Sequence, residues 1–178
     1  MFKYAIAAIG LSALTLPAFA GPEAETFIQK TSHEMIQSSA DQIALTTSID
    51  IQRVAHFTLG KYARRISDAE REKYAAAFEN FLLSRFDENR KFIVGANVEV
   101  IGSTDRNEND SIVETRVKEA SGETTIVRWR VINTDGDWRI VDVQWSGLWL
   151  AIEQRAQIAA ILGKPRASID DAIEALNS

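Results

Sequence analysis

Cysteine is absent from this chain of 178 residues, and histidine occurs only twice, as His33 and His56. Disulfides, thiol nucleophiles and cysteine-ligated zinc are therefore excluded, and little imidazole is left for acid–base work. The chain carries no Gly-rich phosphate loop, no HExxH and no G-x-S-x-G. Positive charge is also scarce. The 20 Lys and Arg against 25 Asp and Glu leave a net charge of −5, a poor balance for binding nucleic acid or adhering to an anionic membrane. Long apolar runs are equally rare. The one at Tyr4 to Leu16 falls short of the roughly 20 residues that span hydrocarbon.

That run has a different meaning. Lys3 precedes it, and Pro17-Ala18-Phe19-Ala20 follows it with a small-x-small ending before Gly21. This is the pattern of a secretory signal peptide at residues 1–20, cleaved after Ala20. No cysteine follows for lipid attachment. The expected mature chain is a single domain over 21–178, exported to the bacterial periplasm, its net charge moved from −5 to −6 by the loss of Lys3. A domain of this size buries about two thirds of the surface its unfolded chain exposes, so it folds without covalent staples.

The two halves of the mature chain differ in period. Glu23 to Ser39 places Phe27, Ile28, Thr31, Met35 and Ile36 on one helical stripe, and Asp50 to Tyr62 groups Ile51, Val54, Ala55, Leu59 and Tyr62. Ser67 with Glu70 forms a capping box. It opens a helix bearing Tyr74, Ala77, Phe78, Phe81, Leu82 and Phe86 at three-and-four spacing. From Ile93 the period turns to two, through Val94, Ala96, Val98 and Val100. A polar turn from Thr104 to Asp110 leads to Ile112, Val113, Thr115 and Val117.

The densest signal is Ile126 to Leu162. Val127, Trp129 and Val131 alternate with Arg128, Arg130 and Ile132, Asp135-Gly136 supplies a hairpin turn, and Trp138 to Trp145 reads as the partner strand. Ser146-Gly147 ends that strand, and helices are expected over Leu148 to Leu162 and Ser168 to Leu176. Helices, then four consecutive antiparallel strands, then helices give an α+β class. The expected architecture is a four-stranded curved antiparallel sheet with helices packed over one face, an NTF2-like cone enclosing an apolar cavity. All four tryptophans lie between Trp129 and Trp149, so one corner is either solid core or the wall of such a cavity.

Groups suited to catalysis are few. His56 lies between Ala55 and Phe57. It reads as a helix-flank histidine, with a general base in a small isomerase or dehydratase as the alternative. Asp135 and Asp137 flank a turn glycine, where aspartate is favoured for backbone hydrogen bonding rather than for metal. Arg128 and Arg130 point away from Trp129, onto an exposed sheet face. No metal site or cofactor is expected.

Three segments are similar to the MlaC family of periplasmic phospholipid-binding proteins. Asp50 to Tyr62, DIQRVAHFTLGKY, resembles the family stretch ending L-G-[RK]-Y. Ser67 to Phe86, SDAEREKYAAAFENFLLSRF, resembles T-x-x-Q-R-x-x-[YF]-x-x-x-F-x-x-[YF]-L. Trp129 to Ile161 carries W-R, D-G-x-W-x-I-x-D-V, a glycine hinge and Gln154-Arg155. Where the family often has G-V-S-L, this chain has Gly147-Leu148-Trp149-Leu150, and Trp149 adds bulk near the hinge.

The resemblance implies a non-enzymatic carrier that holds a phospholipid by its acyl tails. Its implied partners are an inner-membrane MCE-domain ABC transporter and an outer-membrane lipoprotein complex. The matched segments and apolar faces nominate Leu59, Tyr62, Phe78, Leu82, Val98, Val117, Trp129, Val143, Leu148, Trp149 and Ile152 as lipid-lining residues. A hopanoid or other polycyclic cargo, an NTF2-like enzyme using His56, and an adaptor domain with a solid interior are the rival readings.

Overall fold

The computed structural model describes residues 21–37, 42–93 and 95–177. The expected signal peptide at 1–20 lies outside them. Helix α1 (Gly21–Gln37) is followed by α2 (Gln42–Ser48), α3 (Ile51–Leu59), a 3₁₀ turn (Gly60–Arg64) and the long α4 (Asp68–Ile93). Then come β1 (Asn97–Asn107), β2 (Asp110–Lys118), β3 (Thr124–Thr134), β4 (Asp137–Trp145), the short β5 (Leu148–Trp149), α5 (Leu150–Leu162) and α6 (Ile169–Leu176). The strands form one antiparallel sheet in the order β1-β2-β3-β4-β5.

The helix starts follow their chemistry. Asp50 accepts the Arg53 amide at 3.0 Å and so caps α3. Glu70 accepts from the Ser67 amide at 2.8 Å and the Ser67 hydroxyl at 2.7 Å, while the Glu70 amide donates back to Ser67 Oγ at 3.3 Å. This is the expected capping box, and it holds the Glu70 carboxyl below its ordinary pKa, chiefly through the serine hydroxyl. Ser168 and Asp171 repeat the device at α6.

Several expectations need correction. The sheet has five strands, not four. Ser146 and Gly147 take φ of +48° and +84°, the twist of a two-residue hairpin. The chain therefore doubles back and pairs Leu148 with Trp145 before α5 begins, rather than passing straight into a helix. The turn after β1 is also shorter than Thr104 to Asp110. Asn107 Oδ1 accepts the Asn109 amide at 2.8 Å, and Asn107 pairs with Asp110 across the hairpin. Finally, α2 forms in a stretch where the sequence pattern predicts no element.

Helices also meet the sheet from both sides rather than one. Val131 and Ile132 are consecutive in β3 and so point to opposite faces. Val131 is fully buried with Ala24, Ile28 and Met35 of α1, Leu45 of α2, Val113, Trp138 and Ile140. Ile132 packs instead on a cluster built from α3, α4, α5 and α6, which holds Val54, Leu59, Tyr74, Phe78, Ala151, Ile158 and Ala172. An irregularity in the β3–β4 register at Arg130/Val131 turns Val141 toward that second cluster. Ile49 borders both. Within the helical core the Thr58 and Tyr74 hydroxyls meet at 2.9 Å, both residues fully buried, and fix α3 against α4.

Candidate functional site

The inward sheet face continues past the α1-covered region to a third apolar cluster. Its buried members are Ala96, Val117 and Val127, with Val98, Trp129, Val143 and Trp145 only half-buried against them. Register explains the grouping. Trp129 lies opposite Val113 on one side and Val143 on the other, and Thr115 lies opposite Val127, so alternation carries all of them to one face. Trp129 and Val143 also touch the α1-covered cluster, as do Leu83 and Phe86 of α4 and Val100 of β1. The principal backbone neighbours of α4 are α3 and α6, with α2 next. Leu83 and Phe86 bring its C-terminal half against the α1-covered cluster, which Trp129 and Val143 join to this one.

Two polar groups of the face are spent internally. The Trp129 indole N–H donates to Thr115 Oγ1 at 2.9 Å, and that hydroxyl, fully buried, donates to the Val127 carbonyl at 3.3 Å. What Trp129 presents outward is hydrocarbon alone. Such a face binds through area, without direction or charge.

The opposite face is charged and internally paired. Arg128 bonds Glu114 and Gln144 at 2.8 and 2.9 Å, Arg130 grips Asp110 at 2.9 and 3.1 Å, and Arg116 reaches Glu99 at 2.5 Å. Arg128 and Arg130 lie on the face away from Trp129, as expected, but are half-buried and paired within the sheet rather than freely exposed. Asp142 Oδ1 accepts the amides of Val143 at 2.8 Å and Ala151 at 2.9 Å, tying β4 to the start of α5. Burial pushes its carboxyl above the ordinary range, against those two bonds and the Arg130 charge.

The nominated lining residues separate into four groups. Val98, Val117, Trp129 and Val143 come together on the apolar face. Leu59 and Phe78 are buried in the helical core on the other side, and Leu82 packs against that core. Tyr62 is half-buried on the 3₁₀ turn, with Lys61 Nζ 5.1 Å and the Arg65 guanidinium 5.5 Å from its ring centre. Leu148 and Ile152 are 60 % and 54 % exposed, and neither they nor the half-buried Trp149 join any of the three apolar clusters. Sequence reasoning missed Ala96, Val127, Trp145, Leu83 and Phe86 as neighbours of the face. Val127 was available from alternation with Trp129. Leu83 was not, because the helical stripe favours Leu82.

Two of the matched segments meet at Gly60. Its φ is +54°, and the Arg155 guanidinium lies 3.0 Å from where a Cβ would stand. Arg155 then stacks on Phe57 at 4.8 Å. A glycine is needed here for both the backbone angle and the close approach.

Catalytic constellations are lacking among the described residues. His33 and His56 are both exposed, and no group of three His, Asp or Glu able to hold a metal occurs there. Asp135 and Gly136 form the expected turn with φ of +54° and +89°, and Asp137 pairs with Arg139 at 2.7 Å. No helix among the described residues is long and apolar enough to cross a membrane. A separate groove of about 470 Å³ runs between the α5–α6 loop and α6, lined by residues such as Lys164, Pro165, Arg166 and Glu174, and it shares nothing with the apolar face.

Comparison with known proteins adds three findings. The family model described as MlaC protein matches residues 23–178. No curated protein matches the chain by sequence. A phospholipid-binding protein from Ralstonia solanacearum, solved in complex with a phospholipid, superposes with a TM-score of 0.73 at 16 % identity, covering 90 % of this chain and 96 % of its own. At that identity the likeness is one of fold.

Proposed function

This chain belongs to the MlaC family, and from that premise we propose that it is a periplasmic, non-enzymatic carrier that binds a phospholipid by its acyl tails. The observation that carries the reading is the apolar sheet face at Val98, Trp129, Val143 and Trp145. It is half-buried, its Trp129 indole N–H is bonded within the sheet, and through Trp129 and Val143 it adjoins the cluster that Leu83 and Phe86 of α4 pack against. Acyl tails laid along this face, between the sheet and α4, would complete its burial. The phospholipid held by the Ralstonia protein of the same fold supports this cargo.

The energetics explain why such a protein needs no catalytic group. Exposing a methylene to water costs about 0.8 kcal/mol, so about 30 methylenes cost on the order of 25 kcal/mol. A dry protein surface replaces the bilayer and removes most of that cost. Transfer then becomes nearly balanced, with direction set by the partners. In this proposal those partners are the inner-membrane MCE-domain ABC transporter and the outer-membrane lipoprotein complex, and the service is to outer-membrane lipid asymmetry. Of the nominated residues, Val98, Val117, Trp129 and Val143 contact the tails, whereas Leu59, Phe78 and Leu82 serve the helical core.

Native mass spectrometry of protein exported with its leader and purified from periplasm without detergent tests the reading. A bound mass of a diacyl phospholipid, confirmed by extraction, is the expected result. A hopanoid mass would keep the carrier and change its cargo. A chain that stays empty after incubation with phospholipid vesicles would overturn the proposal.

A further inference from the structure

Gly21, the residue that follows the expected cleavage point, is the first of the described residues; it lies in α1 and is buried. Its surroundings are tight and acidic. A Cβ on Gly21 would stand 2.7 Å from Ser103 Oγ and 3.6 and 3.7 Å from the two carboxylate oxygens of Asp105 on β1. Asp105 Oδ1 is buried and has no hydrogen-bond partner among the described residues. A carboxylate oxygen in that position loses its water and gains no donor, a costly arrangement.

The neighbouring groups are already engaged. Ser103 donates to Glu25 at 2.6 Å, Glu23 accepts the Trp138 indole N–H at 3.5 Å, and Arg106 reaches Asp110 at 3.5 Å. What the place lacks is a hydrogen-bond donor for Asp105 Oδ1.

We infer that removal of residues 1–20 gives Gly21 an α-ammonium that pairs with the Asp105 carboxylate and fastens α1 to β1. Hydrolysis of the Ala20–Gly21 amide by an endopeptidase consumes one water. It leaves a carboxylate on Ala20 and an amine on Gly21, which takes a proton below its pKa. Before cleavage, residue 21 offers one amide N–H and no charge. After cleavage it offers three donors and a positive charge. A cation at a helix N-terminus is opposed by the helix dipole, and here the carboxylates of Asp105, Glu23 and Glu25 offset that. The bare Gly21 Cα fits beside Ser103, where any side chain would collide with the hydroxyl.

The pairing has a bearing on the proposed lipid site. Through Ala24, Ile28 and Met35, α1 covers the same sheet face that continues into the apolar site. Processing during export thus completes the seating of α1 beside the binding surface. The inference depends on the cleavage position and not on the identity of the cargo.

The test uses the exported, processed chain. Intact mass should show an N-terminus at Gly21. The Gly21 amine, titrated by the pH dependence of its reductive methylation, should have a pKa raised by about one unit above the usual 7.7–8.0, and Asp105→Asn should return it to that range. Asp105→Asn should lower the urea midpoint of the chain beginning at Gly21, and leave nearly unchanged that of a chain retaining Ala20. Three results would overturn the inference: an N-terminus elsewhere, an amine that titrates alike with and without Asp105, or an equal midpoint loss in both chain lengths. Should Asp105→Asn not fold, the amine of the unsubstituted chain decides alone: a raised pKa supports the pair and an ordinary one refutes it.

Discussion

Replacing Val143 by phenylalanine separates a lipid-binding face from a solid core. Val143 is half-buried, opposite Trp129, and borders two apolar clusters. If the space beyond it receives acyl chain, the four extra ring carbons occupy the room of about four methylenes. At about 0.8 kcal/mol each, cargo loses about 3 kcal/mol, a weakening on the order of a hundredfold or more. Stability should change little, because the ring enters space that protein atoms leave open. In a tightly filled interior the same substitution overpacks and costs about 1–3 kcal/mol of folding free energy. Val141→Phe is the control. Val141 is buried in the helical core, so it should show the stability loss without a specific change in affinity. The assays are urea denaturation and titration with a fluorescent phospholipid. A Val143→Phe protein that keeps full lipid affinity, or that unfolds as readily as Val141→Phe, would refute the assignment.

Asp142→Asn should abolish a pH effect. Burial raises the Asp142 pKa from 3.8, so the folded state holds its proton more firmly than the unfolded chain and stability falls as pH rises from about 3.8 through the raised value. Asparagine keeps an acceptor for Val143 and Ala151 and removes that decline, as urea midpoints across this range should show. Tyr74→Phe should cost about 1 kcal/mol, the net worth of its bond to Thr58. Because burial pushes the Tyr74 phenol up from 10.0 to about 12, the natural protein should lose stability between those pH values, and the variant should lose less. Gly60→Ala should destabilise by at least about 1–2 kcal/mol through its φ of +54°. It should also displace Arg155 from Phe57, which an altered Phe57 ring environment in NMR would report.

The elements legible in the sequence were those whose signal is local. Ser67 and Glu70 announced α4, Asp135-Gly136 announced the β3–β4 hairpin, and alternation through Val127, Trp129 and Val131 gave the right inward face. What depended on three-dimensional pairing was not legible. β5 is two residues long and exists because a turn folds Leu148 onto Trp145. The bulge that sends Val141 to the other side is visible only in the register. The nominated site shows the same divide. Its four sheet members share a strand periodicity and come together, whereas Leu59, Phe78 and Leu82 were chosen for an apolar stripe that serves a different core. Leu148 and Ile152, nominated from the third matched segment and their hydrophobicity, are open to solvent.

The β3–β4 hairpin separates two interiors that touch chiefly at Ile49. Such a partition divides the molecule into units that can open independently, since local unfolding costs only the contacts it breaks. If the chain is the proposed carrier, the helical unit, locked by Thr58 and Tyr74, would stay intact while the sheet face and the end of α4 part to admit or release a long chain. A carrier built on one continuous core would have to loosen all of it for each exchange. The wall between the interiors would confine that motion to one side.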